Sequence, residues 1–313
     1  PPPNIISQLV WVIIFGRCND DSNDNSKSAV GRPLALIGFT WQKYLSFAVK
    51  VESLSLRHVK TLYCTFIFYD KIIEMKIVHK IPIITQSSSS NCVQTSTSQF
   101  LDFYSLNIFP ADIEKAVPVR NNKMGKPMGT LFADIGTWLI QSYNIKVTMH
   151  VFDVQIVDRT WALLSQQDLL EEMLKIRESG VSTAHTPYAS ILIDSYISLL
   201  QAGGKINITK CTNKLLQNLL IKGPVLAIIN FNYMYDYPRS KYDTVLKSYV
   251  ADSADGKAIE HAILITGFED GKYFYNDPEP EKGGKHVVKD DILIGAICTA
   301  QLNSDNYLLT IET

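Results

Sequence analysis

The sequence predicts a mixed α+β fold in which helices come first and an antiparallel sheet follows, with a cysteine at a helix start packed on that sheet. Three observations predict it. Stripes of helical period crowd the stretch between Cys92 and Gly223. Val225 to Asn232 is a continuous apolar run of strand length, the pattern of a strand buried on both faces. His261 to Phe268 and Lys272 to Asn276 are two strand-like segments joined by Glu269-Asp270-Gly271, a strong hairpin signal.

The elements follow in order. Lys76 to Thr85 is rich in β-branched residues and holds Pro82, which predicts an extended or edge segment ending at Gln86. After four serines and Asn91, Cys92 opens a helix whose apolar members are Phe100, Leu101 and Tyr104, although Thr95 to Ser98 are weak helix formers. Gly129 to Tyr143 sets Leu131, Ile135, Trp138 and Leu139 on one helical face, and Ile145 to Phe152 alternates as a strand does. Ser165 with Asp168 is a capping pair for a helix that runs to Ser179 and stops at Gly180. Ser190 to Ala202 continues the helical pattern, and Thr212 caps a further helix ending by Gly223-Pro224. Tyr233 to Ile259 reads as a long polar and aromatic loop, of a length that in compact domains commonly borders a functional site. Lys289 to Ile297 reads as a short helix and Asn306 to Ile311 as a closing strand.

Composition bounds the function. Hydrophobic residues make up 46% and charged residues 19%, the balance of a chain that folds around a core. Thirty Lys and Arg oppose 31 Asp and Glu, so no global field draws nucleic acid or an anionic membrane. Cys18, Cys64, Cys92, Cys211 and Cys298 are odd in number, scattered and without a C-x-x-C pair. That pattern argues against a disulfide framework and a thiolate zinc site, and fits a reducing cytoplasm. The apolar run Ile5 to Phe15 is shorter than the about 20 residues a bilayer span needs, and no basic segment precedes it. The first methionine is Met75. We therefore expect residues 75–313 to form the functional domain and residues 1–74 to be an extension translated from upstream of the true start, a genuine extension being the alternative.

A nucleophilic cysteine needs a lowered pKa, a base, a group to orient the base and a donor for the oxyanion. Cys92 at a helix N-terminus gains from the helix dipole. His261 opens a buried strand, and Asp277 ends the strand paired with it, so a hairpin brings the two near each other. Gln86, six residues before Cys92, is placed to offer a side-chain amide beside the sulfur. Other candidates read as structural: Cys211 and Cys298 as core, Trp138 and Trp161 as packing, Asp290-Asp291 as a helix start. His150, His185 and His286 lack evident partners. No metal or cofactor constellation stands out.

Gln86-Ser-Ser-Ser-Ser-Asn-Cys92 before a helix, Gly223-Pro224-Val225 leading a strand, His261-Ala-Ile-Leu-Ile-Thr-Gly267-Phe-Glu-Asp270-Gly, and Tyr275-Asn-Asp277-Pro278 together resemble the bacteriocin-processing (double-glycine leader) cysteine peptidases and their standalone C-thirty-nine-like relatives. The resemblance spans roughly Ile81 to Ile311. It implies a papain-like fold with Cys92 as nucleophile, His261 as base, Asp277 as its orienting partner and Gln86 in the oxyanion hole. Val93 and Gln94 depart from the pattern, since family members usually follow the Cys with Gly or Ala and then Pro. The resemblance implies a cysteine peptidase or related thiol hydrolase acting on a peptide or amide. A silent papain-like binding domain and an acyl or peptidyl transferase are the alternatives.

Overall fold

The computed structural model describes residues 76–121, 127–154, 156–180, 189–246, 248–300 and 307–312. The chain divides into two units between Ile73 and Glu74. The expectations about residues 1–74, Met75 and His185 lie outside the described residues.

The extended segment predicted at the front shortens to strand β1 (Ile77–Val78), and the chain then reaches α1 (Cys92–Phe103) and α2 (Pro110–Ala116). A small ladder, β2 (Arg120–Asn121) with β3 (Pro127–Gly129), leads into α3 (Phe132–Tyr143) and β4 (Lys146–Val151). A 3-10 turn (Arg159–Leu163) precedes α4 (Gln166–Ser179), α5 (Ala189–Gln201) and β5 (Lys205–Ile208). Next come α6 (Asn213–Leu220), β6 (Val225–Asn230) and α7 (Phe231–Tyr235). The rest comprises β7 (Ser240–Asp243), β8 (Ser248–Ala251), β9 (Glu260–Glu269), β10 (Lys272–Asp277), β11 (Gly284–Lys289), α8 (Asp290–Cys298) and β12 (Tyr307–Glu312).

Local chemistry explains the ends of these elements. Ser165 accepts from the Asp168 amide at the start of α4, and Gly180 takes the left-handed conformation (φ 65°) that closes it. Thr212 accepts from the Leu215 amide ahead of α6. Asp270 (φ 49°) and Gly271 (φ 70°) both occupy the left-handed region, as the tight turn between β9 and β10 requires.

The main sheet runs β11-β10-β9-β6-β12-β4-β5, with β1 pairing on β9 beyond the end of β6. Two expectations are corrected here. The sheet is not wholly antiparallel: β4 and β5 pair in parallel, because α4 and α5 carry the chain back across the sheet between them. Nor do the helices all precede the sheet: β4 stands where Ile145 to Phe152 reads as a strand and joins the main sheet, and β5 falls within the region expected to be helical.

The apolar run of β6 is explained by its central place. Leu226 and Ile228 join one core cluster with Leu264 of β9, Met149 of β4 and the helices α1, α3, α4 and α5. Val225, Ala227 and Ile229 join a second cluster with Ile263 of β9, α6 and α8. Successive side chains enter opposite layers, as the period of two dictates. The stretch expected as a loop, Tyr233 to Ile259, instead carries the end of α7 and the β7–β8 hairpin.

Candidate active site

Cys92 is the first residue of α1, behind an Asn91 N-cap. Asn91 also closes the serine-rich approach. Its Oδ1 accepts from the Ser88 amide at 3.2 Å, and its Nδ2 donates to Ser87 Oγ at 2.9 Å and to Glu114 Oε2 at 3.2 Å. The helical ladder starts with the Thr95 amide donating to Asn91 O at 3.0 Å. The Cys92 thiol therefore sits at the positive end of the helix, where the thiolate is favoured.

Directional bonds fix α1 against the sheet. Ser96 Oγ donates to Ala262 O at 3.0 Å, one residue past His261. Gln99 Oε1 accepts from Asn276 Nδ2 at 2.9 Å, one residue before Asp277, and Gln99 Nε2 donates to Ile84 O at 3.1 Å. Gln94 Nε2 donates to Val117 O at 2.9 Å and to Thr130 Oγ1 at 2.7 Å. Val93 is only 3% exposed and packs in the larger core cluster.

His261 Nε2 and Asp277 Oδ1 are 2.7 Å apart and buried. A register irregularity makes this possible. Phe274 pairs with Gly267 but Tyr275 pairs with Ile265, so β9 has one extra residue, Thr266, at that point. Extending the register by one pair sets Asp277 opposite Ile263, on the face that His261 shares by the alternation of the strand. Without the bulge Asp277 would fall opposite Leu264 and point the other way. The amide of His79, just past β1, donates to the carbonyl of Thr266 at 2.8 Å.

The remaining contacts enclose this pair. Asp277 Oδ1 also accepts from the Glu279 amide at 2.8 Å, and Oδ2 accepts from the Tyr235 hydroxyl. The Phe231 ring meets the His261 ring edge-on at 5.5 Å between centroids. With Nε2 engaged by Asp277, Nδ1 is the ring nitrogen left for Cys92. Gln86 is 6% exposed; its amide donates to Pro278 O at 2.8 Å, and its side-chain Oε1 is buried without a partner among the described residues.

The charges reinforce one another. Burial opposes ionisation of Cys92, but hydrogen bonding and charge from His261, with the Ala262 amide, bring the thiol below its ordinary pKa against the repulsion of Asp277. Burial also opposes the imidazolium, yet the charge and hydrogen bond of Asp277, then those of Cys92, raise His261 to about 10. Burial pushes the Asp277 carboxyl up, while His261, Tyr235 and the Glu279 amide hold it below its usual range. These influences pull the thiol and the carboxyl toward their charged forms and raise the imidazole, and groups that act on one another this way titrate together.

The sequence names Cys92, His261, Asp277 and Gln86 as candidates; the structure sets Phe231, Tyr235, Ser96, Gln99 and Asn276, which the sequence reading does not name as such, in bonds or ring contacts with these residues, their neighbours or the helix that carries Cys92. Phe231 and Tyr235 carry a readable signal, aromatic residues at i and i+4 directly after a buried strand. Two structural expectations change. His150 does have partners, Thr310 Oγ1 at 3.2 Å and Asn207 Nδ2 at 3.3 Å. Cys211 and Cys298 are half-buried and adjacent, with their thiols hydrogen-bonded. Among the described residues, no group of three or more His, Cys, Asp or Glu could hold a metal ion, and no helix is long and apolar enough to cross a membrane.

No family model matches the sequence, and no curated protein is similar to it. Among solved structures, the chain is similar to one described as a C39-like peptidase from Bacillus anthracis, at 12% identity and a TM-score of 0.38, over 77% of this chain and 98% of that one.

Proposed function

We propose that the protein is a thiol-dependent hydrolase of papain-like fold that cleaves a peptide or amide bond through an acyl-enzyme on Cys92. One observation carries the reading: His261 holds Asp277 at 2.7 Å through Nε2 while the same ring lowers the pKa of a thiol at a helix N-terminus. In the first step Cys92 Sγ attacks the carbonyl carbon, and the oxyanion is held by the Cys92 amide and the Gln86 side-chain amide. The C–N bond then breaks as His261 gives its proton to the leaving amine. In the second step water attacks the thioester with His261 as base, and the C–S bond breaks to return the thiolate.

The electrostatics set the pH range. Cys92 is depressed below the ordinary thiol value and His261 is raised to about 10, so the ion pair exists between those two limits. Hydrolysis is expected to fall on the acid side as Cys92 takes a proton, and on the alkaline side as His261 loses its own near 10. The test is the rate of iodoacetamide labelling against pH in wild type, Cys92→Ala and His261→Ala, with turnover of a peptidyl-coumarin library alongside. Labelling of Cys92 no faster than that of a thiol of pKa about 8.5 sinks the reading.

A second reading, a silent papain-like binding domain, is favoured by the 8% exposure of Cys92, which leaves little of the sulfur open to a substrate. Fast labelling with no turnover of any substrate would select it.

A further inference from the structure

Helix α7 brings two aromatic side chains one turn apart to the same pair of residues. The Phe231 ring lies edge-on to His261 and 4.7 Å from the Tyr235 ring. The Tyr235 hydroxyl donates to Asp277 Oδ2 and accepts from Tyr275 Oη at 3.2 Å. The opposite carboxylate oxygen is taken by His261 Nε2 and the Glu279 amide. The helix is itself pinned: Asn230 accepts from the Tyr233 amide, while Asn232 donates to Tyr237 O and Pro238 O and accepts from the Ile259 amide.

A carboxylate bonded through one oxygen can still turn about its side-chain torsions, whereas donors on both oxygens fix it. We propose that Tyr235 is a positioning residue, its hydroxyl fixing the second oxygen of Asp277 so that the first stays on His261 Nε2, with Phe231 shielding the imidazole from water. This rests on the reading of Cys92 and His261 as a reactive pair, and deepens it by assigning a control of that pair to the segment after β6. The titratable groups facing Asp277 are His261 from β9, Tyr235 from α7, Tyr275 from its own strand and Cys92 from α1. His286 of β11 stacks on Tyr275 at 5.2 Å behind them. Burial, then the charge of Asp277, holds the Tyr235 phenol far above its usual value, so it remains a donor across the working pH range.

The test compares iodoacetamide labelling of Cys92 against pH in the full chain as wild type, Tyr235→Phe, Asp277→Ala and the double variant, with thermal unfolding to check each fold. Tyr235→Phe keeps the ring and removes only the donor. The acid limb of its profile is expected to move up by about one pH unit, a roughly tenfold slower reaction below it. In the Asp277→Ala background the same change is expected to do nothing more, because its effect passes through the carboxylate. A Tyr235→Phe profile identical to wild type overturns the proposal, as does an equal slowing in the absence of Asp277, which marks a merely structural role. A wild-type Cys92 that titrates as an ordinary thiol overturns the hydrolase reading and this proposal together, so the two failures are distinguishable. Should Tyr235→Phe not fold, Tyr275→Phe removes the donor behind Tyr235: a smaller shift in the same direction supports the proposal and no shift overturns it.

Discussion

Helices α1 and α5 are both buried along most of their length, yet they are made of opposite materials. In α5 the buried face is Leu192, Ile193, Tyr196, Ile197, Leu199 and Leu200 with few polar members. In α1 every residue from Cys92 to Leu101 is buried, and Gln94, Thr95, Ser96, Thr97, Ser98 and Gln99 form its middle. Apolar contact has no direction, so α5 is held in place by shape. Hydrogen bonds are directional, so α1 is held in register, residue against residue, with the strands that carry His261 and Asp277. The difference separates two jobs: α5 supplies stability, and α1 supplies the position of one sulfur atom.

The comparison is broken most sharply at Leu199. Its Cδ1 lies 2.9 Å from where a Cβ on Gly136 would stand and 2.6 Å from where one on Gly204 would stand. The side chain thus fills a niche between two residues that have no side chain with which to refill it. Leu199→Ala is expected to cost about 3–5 kcal/mol, the upper part of the range for a buried leucine, measured by urea unfolding. Well below the melting temperature the pH profile of Cys92 labelling should not move. A shifted profile would mean that apolar packing also positions the thiol.

A smaller effect on stability with a larger one on chemistry is expected at Ser96. Ser96→Ala removes the bond to Ala262 O and is expected to cost about 1 kcal/mol of stability. The Ala262 amide and His261 both act on the sulfur, so loosening α1 at this strand should move the acid limb of the labelling profile upward. A profile identical to wild type would show that the remaining bonds from Gln94 and Gln99 suffice.

The same contrast governs how much was legible in the sequence. Ser165, Gly180, Thr212 and the Asp270-Gly271 turn are local signals, set by backbone chemistry within a few residues, and the structure places caps and a turn at each. The two-faced burial of β6 was equally readable, because a continuous apolar run has few other uses. The burial of α1 was not: Thr95 to Ser98 read only as weak helix formers, and the carbonyls to which Gln94, Ser96, Ser98 and Gln99 donate, at Val117, Ala262, Ile108 and Ile84, all lie outside the helix. The pairing of His261 with Asp277 was expected from the hairpin, but the bulge at Thr266 that turns Asp277 to the correct face leaves no mark in composition or period. Strands β5 and β11 were missed because each is short and rich in charged or polar residues that suit a loop as well.

The smallest expected effect sharpens the comparison from inside α1. Thr97 is buried between Ser96 and Ser98, both of which donate to carbonyls, but its own Oγ1 has no partner among the described residues. An unpaired buried hydroxyl carries a desolvation cost with nothing to offset it. Thr97→Val keeps the shape and the β-branching and removes only the oxygen. Its unfolding free energy should stay the same or rise by up to about 1 kcal/mol, with the Cys92 profile unchanged. Polarity alone would then not explain α1, because a buried hydroxyl without a partner would add nothing while its bonded neighbour sets the register. If Thr97→Val instead weakens the fold by as much as Ser96→Ala, the hydroxyl has a partner such as a buried water, and the whole polar face of the helix acts as one network.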